Sequence, residues 1–293
     1  MGGKQHKRKK GKKAKGPTQA DQADLHLLYE ESVQSPDADC ELFADIYERL
    51  RGRPPVVLRE DFCGTALLST TWCLSDPSHR AIGVDLDTQT LAWGREHNIS
   101  PNAEALGERL TLLQADVLEA GVEGAEPADI IAALNFSFCI FKQRAVLKRY
   151  FQRVFGNLAP GGLLILELFG GTNALEEDSE IRELDDYTYV WDQAAFNPIT
   201  NEILCHIHFE FDDGSRIDEA FTYDWRLWSL PELRDILEEA GFAAVRVFWE
   251  LVEDDDGDDD DAMLEGTGEY EEMTEVEQQH SWLVYVVAER AED

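Results

Sequence analysis

The residues best suited to chemistry lie between Pro55 and Asp87. Pro55–Glu60 reads as an apolar strand that runs into a pair of acids, Glu60 and Asp61, and Phe62-Cys63-Gly64-Thr65-Ala66 is a tight loop. A helix-like segment follows, and then Arg80–Asp85, a second strand that also ends in acid. Strand, loop, helix and strand make a βαβ unit, whose ligands bind at the carboxyl ends of the strands. Glu60, Asp61 and Asp85 stand where a dinucleotide site presents a neutral, glycine-rich loop. Such acids would repel a pyrophosphate, which makes a nicotinamide oxidoreductase the least favoured class. They suit a nucleoside that carries positive charge and no phosphate.

The elements that must position these residues follow from hydrophobic patterning. After the βαβ unit, Asp87 can cap a helix that runs to His97. Leu110–Gln114 and Asp129–Leu134 are predicted as the third and fourth strands. A helix around Val146, Leu147, Tyr150, Phe151 and Val154 leads through Pro160-Gly161-Gly162 to a fifth strand, Leu163–Phe169. These are near-continuous apolar runs, as expected of strands covered by helices on both faces. The period then changes to two. Ile203, Cys205, Ile207, Phe209 and Phe211 share one strand face, and turns fall at residues 197–201 and 212–215, which predicts a three-stranded antiparallel insertion. Ser229-Leu230-Pro231-Glu232 opens a further helix as a capping box, and Gly241 closes it. Ala243–Glu250 and Trp282–Ala288 are the last two strands expected. Upstream, 20–51 is helical in two pieces broken at Ser35-Pro36-Asp37.

In this order the residues resemble the class I S-adenosylmethionine-dependent methyltransferases. Cys63-Gly64-Thr65 matches the middle of that family's first motif, Glu60 its leading acid, and Gly83-Val84-Asp85 its second motif. The family pattern is acid-x-Gly-x-Gly-x-Gly; here Phe62 and Ala66 replace the first and third glycines. The resemblance covers roughly residues 56–169 and 231–288. It implies a doubly wound, Rossmann-like α/β sheet of about seven strands with the last antiparallel, interrupted by the small antiparallel β insertion. It also implies S-adenosyl-L-methionine as cofactor. Glu60, Cys63 and Gly64 then form the methionine-side loop, and Asp85 with Leu86 meets the ribose; the alternative role for Asp85, helix capping, is one that Asp87 fills equally well. Asp116 and Val117 meet the adenine, and Asn135 lies beside the methyl group.

Methyl transfer asks mainly for alignment, because the sulfonium is already an activated electrophile. No metal is required, and a general base is needed only if the acceptor is protonated. The catalytic candidates are Asn135, Tyr223 and Arg226. The last two belong to Phe221-Thr222-Tyr223-Asp224-Trp225-Arg226-Leu227-Trp228, where an aromatic set would suit an amine and Arg226 a carboxylate. The alternative is that Trp225 and Trp228 simply plug the insertion onto the core. Tyr29 could close over the cofactor or pack in the core. His206-x-His208 could bind a metal but reads better as a polar strand face.

The expected organisation is a disordered basic tail (1–18), a helical lid (19–54), the cofactor-binding core (55–170), the insertion on the acceptor side (171–228) and a C-terminal helix and strand pair (229–293). An acidic loop (253–279) contains the Asp254–Asp261 run, read as solvated rather than calcium-binding. Residues 1–16 hold seven of the nine lysines and Arg8; 18 basic residues remain against all 60 acidic ones. That acidic, lysine-poor body would suit a high-salt cytoplasm, in which salt screens self-repulsion; the alternative is a merely acidic protein with one acidic loop. The tail could tether an RNA or a protein substrate, or only solubilise the chain. Five scattered cysteines without C-x-x-C spacing argue for reduced thiols and a cytoplasmic setting. No apolar run is long enough to span a membrane, and no secretory signal is expected. The leading expectation is methyl transfer to a small-molecule acceptor, an amine among the options. The alternatives are an RNA or protein methyltransferase using the tail, and a non-catalytic cofactor-binding module.

Overall fold

Apolar runs bounded by glycine, proline and acid set the strands of one large sheet. A computed structural model of the protein describes residues 16–120, 126–252 and 266–292. The basic tail up to Lys15 and the Asp254–Asp261 run lie outside the described residues.

Three helices open the chain: α1 (Gln19–Gln22), α2 (Leu25–Val33) and α3 (Pro36–Arg51). Two were expected; Asp24, which caps α2 by accepting from the His26 and Leu27 amides, divides the first. Pro36 sits in the first turn of α3, where its missing N–H costs nothing. The inner stripe of α3, Cys40, Phe43, Ile46 and Tyr47, is buried on the sheet, each large apolar side chain contributing about 1.5–3 kcal/mol.

The βα units follow. They are β1 (Val57–Asp61), α4 (Leu67–Ser75), β2 (Arg80–Asp85), α5 (Thr88–Gly94), α6 (Ala103–Leu106), β3 (Leu110–Gln114), β4 (Ala128–Ala133), α7 (Arg144–Asn157) and β5 (Leu158–Gly170). Asp87 caps α5 through the Gln89 and Thr90 amides, and the helix runs on as a π turn, Arg95–Ile99. β5 starts at Leu158, before the Pro160-Gly161-Gly162 turn signal.

The insertion has four strands, not three: β6 (Asp178–Glu183), β7 (Tyr187–Asn197), β8 (Glu202–Phe211) and β9 (Arg216–Arg226), antiparallel in that order. The face of Tyr187, Tyr189, Ile207 and Phe209 is buried against Leu28 of α2. Next comes α8 (Leu230–Ala240), capped by the Ser229 hydroxyl at the Glu232 amide. Only half of the expected box forms, because the Glu232 carboxylate pairs with Arg226 at 2.7 Å.

β10 (Ala244–Val252), β11 (Gly266–Glu272) and β12 (Trp282–Glu289) complete the main sheet, ordered β11-β10-β12-β5-β4-β1-β2-β3. β1 to β5 are parallel, and β12 lies antiparallel between β5 and β10. The eighth strand corrects the expectation of about seven: Gly266–Glu272 falls in the stretch read as solvated loop, yet it pairs with β10. α3 and α4 cover one face of the sheet and α7 and α8 the other. The carboxyl ends of β1, β4 and β5 open beneath α2 and α3.

Candidate functional site

The loop after β1 takes a left-handed backbone at every second residue: φ is +62° at Phe62, +52° at Gly64 and +58° at Ala66. These are the three positions of the glycine pattern, so the geometry is kept while two of the glycines are not. A left-handed residue with a Cβ costs roughly 1–2 kcal/mol. Surrounding contacts hold it. The Cys63 amide donates to Val84 O at 3.0 Å and the Ala66 amide to Cys63 O at 2.7 Å. The Phe62 ring rests on Phe141 and Tyr150, with centroids 5.9 and 5.8 Å away. Gly94 of α5 lets the loop close on it, since a Cβ there would lie 2.1 Å from Thr65 O.

Each acid near this loop has a separate environment. Asp61 is buried and paired with buried Arg59 at 2.7 Å, and the Tyr150 hydroxyl donates to it at 3.0 Å. It is therefore neutralised within the fold and adds no free charge to the crevice. Glu60 is buried and accepts from the Ser69 amide (3.0 Å) and hydroxyl (2.6 Å). Burial outweighs these bonds and raises its carboxyl to about 8. Asp85 accepts from the Gly64 and Asp87 amides, each at 2.8 Å, and so ties the loop to the end of β2. Asp116 caps its own turn at the Leu118 amide (2.9 Å), Val117 is buried, and Leu86 is 67% exposed.

A cavity of about 720 Å³ lies over the loop, within the size range of small-molecule sites. Residues 61–65 form its floor, with Leu134, Asn135 and Ser137 after β4. His26 and Tyr29 of α2 and residues 33–36, 38 and 39 roof it, and Phe221 and Tyr223 close the insertion side. The remaining wall comes from Glu167 of β5, Glu250 of β10, Tyr270 of β11 and Tyr285 of β12. Besides Asp61, which is paired with Arg59, four carboxylates line the cavity: Asp39, Glu60, Glu167 and Glu250. Among the described residues none of them has an ion pair. Burial is the first cause of a raised carboxyl at each. Asp39 reaches about 6 and Glu167 about 8, and Glu250 also rises. The charge of Asp39 also raises Glu60, and those of Asp39 and Glu250 raise Glu167.

Of the expected residues, Glu60, Cys63, Gly64, Asn135 and Tyr223 line the cavity; Asp85, Leu86, Asp116 and Val117 lie beyond its β2–β3 side and do not. Asn135 is left-handed (φ +50°) and its amide donates to Glu167 Oε2 at 2.6 Å. Arg226 lies outside the cavity: it stacks on Trp228 at 3.8 Å and donates to Lys142 O at 3.2 Å. Trp225 and Trp228 are buried in the main core, so they plug the insertion rather than line a mouth. Tyr29 faces Phe221, ring centroids 4.9 Å apart. His206 and His208 are buried on the other strand face. His206 bonds Thr222 Oγ1 at 3.0 Å, and His208 Nδ1 accepts from the Glu219 amide at 2.9 Å. No metal-holding group occurs among the described residues.

Sequence reasoning missed Asp39, Glu167, Glu250, Tyr270 and Tyr285. A signal existed for Glu167, the one acid in the apolar run Leu163–Phe169. It also missed Glu30 of α2, buried against the cofactor loop, where it accepts from the Thr65 hydroxyl and from Asn98 Nδ2 at 2.7 Å.

No protein-family model and no curated protein matches the sequence. Solved structures do match in shape. An S-adenosylmethionine-dependent methyltransferase from Clostridium acetobutylicum is 15% identical, with a TM-score of 0.62 over 91% of this chain and 97% of that one. CalS10, an amino pentose methyltransferase from Micromonospora echinaspora whose structure holds S-adenosylmethionine, is 14% identical, with a TM-score of 0.61 over 91% and 96%. The sugar N-methyltransferase KedS8 from Streptoalloteichus is 16% identical, with a TM-score of 0.60 over 98% and 99%. The strand order, the left-handed loop after β1 and these matches along nearly the whole chain agree: the protein has the fold of the class I S-adenosylmethionine-dependent methyltransferases.

Proposed function

We propose that the protein is an S-adenosylmethionine-dependent methyltransferase acting on a small-molecule amine. The observation that carries this reading is a cavity on the β1 loop lined, besides the Arg59-paired Asp61, by four carboxylates that have no ion-pair partner among the described residues. Such a wall favours ligands that bring positive charge, as both a sulfonium and an ammonium do. The amino pentose and sugar N-methyltransferases among the structural matches support the same acceptor class.

The residues fit the cofactor. At Gly64 a Cβ would meet nothing closer than Thr90 Cγ2 at 3.9 Å, so the loop backbone lies open to a ligand. Glu60, Cys63, Gly64 and Asn135 would hold the methionine end. Each oxygen of Asp85 accepts one amide, which leaves lone pairs for ribose hydroxyls. Asp116, Val117 and Leu86 would take the adenine. Bound there, S-adenosylmethionine supplies an activated methyl group and leaves as a neutral thioether. The chain's task is then to align an acceptor with that methyl and exclude water. α2 and α3 form the roof that does so.

Calorimetric titration of S-adenosylmethionine and S-adenosylhomocysteine into the full chain tests the reading. Both are expected to bind, and Asp85→Ala to weaken both by about tenfold or more, the scale of a charge-assisted hydrogen bond. Absence of binding by the wild-type chain overturns it.

A further inference from the structure

We propose that Glu167 is the proton acceptor of this reaction, taking the proton of an acceptor amine that enters as an ammonium ion against Asp39, Glu167 and Glu250. The proposal rests on the methyl transfer argued above and adds the residue that makes the nitrogen nucleophilic.

Four observations support it. Glu167 extends the row Leu163, Ile165, Glu167 of β5, whose first two members are fully buried. Its carboxylate therefore emerges where the apolar face of the sheet gives way to the cavity. The Asn135 amide fixes Oε2 at 2.6 Å, while Oε1 has no hydrogen-bond partner among the described residues. The carboxylate so held belongs to the cavity wall, beside Asn135 after β4.

The surroundings are built for a cation. Tyr285 lies opposite Glu167 in the β12–β5 register, and Tyr270 lies opposite Glu250 in the β10–β11 register. The two tyrosine rings meet edge-on at 4.8 Å, and Tyr285 donates to Asp39 Oδ1 at 2.6 Å. Carboxylates interleaved with aromatic rings attract an ammonium ion. The cavity's own basic groups are His26 and Arg182. Arg182 is engaged elsewhere, with Ser32 O at 2.7 Å and over the Tyr189 ring at 4.5 Å. Gln34 Oε1, buried and without a partner, adds an acceptor to the same cavity.

The chemistry needs such a group. An alkylammonium ion has no lone pair, so its nitrogen cannot attack. When the N–H bond breaks, Oε1 of Glu167 gains the proton and the nitrogen recovers its lone pair. The N–C bond then forms as the C–S bond breaks, and that electron pair stays on sulfur. The product is an N-methylammonium ion and a neutral thioether, and Glu167 returns its proton to solvent. Glu167 has the affinity for the task. Burial, with Asp39 and Glu250 adding their charge, raises it to about 8, which the Asn135 amide only partly offsets. The groups facing it are Asp39 from α3, Tyr29 from α2, Glu250 from β10, Tyr270 from β11 and Tyr285 from β12.

Sinefungin tests this without knowledge of the acceptor. It resembles the cofactor but places an ammonium group where the methyl group would be. Sinefungin and S-adenosylhomocysteine are titrated into the full chain near pH 7, in phosphate and in Tris, so that proton release is read with affinity. Sinefungin is expected to bind about tenfold tighter and to release part of a proton as Glu167 ionises. Glu167→Gln should keep its affinity for S-adenosylhomocysteine and lose both the preference and the proton release. Glu250→Gln should lower the preference and keep the release.

The wild-type chain gives a second measurement. Its preference for sinefungin should grow as pH rises from about 6 to about 8, as the competing proton leaves. If the preference is absent or flat with pH, or survives in Glu167→Gln, the proposal falls while the cofactor assignment stands. If S-adenosylhomocysteine itself does not bind, both fall.

Discussion

Phe62 and Ala66 hold a backbone shape that glycine would adopt freely, and the reason Phe62 is tolerated is visible around it. Its ring fills the space against Phe141 and Tyr150, which sits above the buried Arg59–Asp61 pair. The side chain thus repays by packing what its backbone loses in strain. This makes a prediction that isolates the strain. Phe62→Ala and Phe62→Gly remove the same ring, but only alanine keeps the Cβ. The glycine variant should be the more stable by about 1 kcal/mol in urea unfolding, although alanine is favoured at ordinary positions. The opposite order would mean that residue 62 is not left-handed. The same loop shows how far residue types alone could be read. The loop around Gly64 and the acid Glu60 were legible as cavity residues, and the structure has both in the cavity lining. Asp61 was not legible as a buried ion pair, because its partner Arg59 lies two residues away inside a strand that reads as apolar. Arg226 and the two tryptophans could be read either as a ligand mouth or as a plug onto the core, because an aromatic run has the same letters in both places; the structure has the two tryptophans in the core. Glu167 was the reverse case, a charge in an apolar run that only the third dimension turns into a cavity wall.

At the scale of elements, α2 spans the crevice and touches the loop after β1, α5 and the insertion. Glu30 accepts from Thr65 and Asn98, Asp24 accepts from Trp93 Nε1 at 2.8 Å, and Ser32 bonds the Tyr187 hydroxyl at 2.9 Å. One helix therefore couples the cofactor loop, α5 and the insertion. Glu30→Ala strips two buried donors of their acceptor, at about 1–3 kcal/mol. Amide exchange should then speed up in residues 62–66 and in α2 more than in β1 or β4. A uniform increase across the sheet would mean that α2 is not a separable roof. The two elements absent from the sequence reading, β6 and β11, share a cause. Each ends a sheet, and each is polar: Asp178–Glu183 is exposed throughout and Gly266–Glu272 nearly so. An edge strand rich in charge avoids pairing with other chains, and that same composition erases the alternation by which strands are recognised. The interior strands had no such constraint, and β2 falls on the expected residues. β3 also ends the sheet, but its run of leucines kept it legible, and it too falls on the expected residues.

The whole molecule combines two sources of negative charge that respond differently to solution conditions. The formal charge is −34, and it is −42 without the eight basic residues of the first sixteen. Most of it is on the surface, where repulsion is complete once the carboxyls ionise above about pH 5–6 and is screened by salt. The cavity acids, Glu60 buried and Asp39 and Glu167 half-buried, titrate later. Glu60 and Glu167 are raised to about 8 and Asp39 to about 6, whereas unfolded carboxyls titrate near pH 4. The folded chain therefore binds more protons than the unfolded one between those limits. Its stability is fully present below about pH 4 with respect to these groups and is lost as pH rises through about 8. The melting temperature should accordingly fall between about pH 5.5 and pH 8.5, and Glu60→Gln with Glu167→Gln should flatten that slope. Raising potassium chloride to about 1 M shortens the screening length to roughly 3 Å and should lift the melting temperature at every pH. It should leave the slope in place, because salt screens buried and partly buried groups much less. A slope that disappears in high salt would locate the titrating charge on the surface and remove the cavity acids as its source. A lift without loss of slope would show the two populations apart, one set by the acidic surface and the other by the unpaired carboxylates of the cavity.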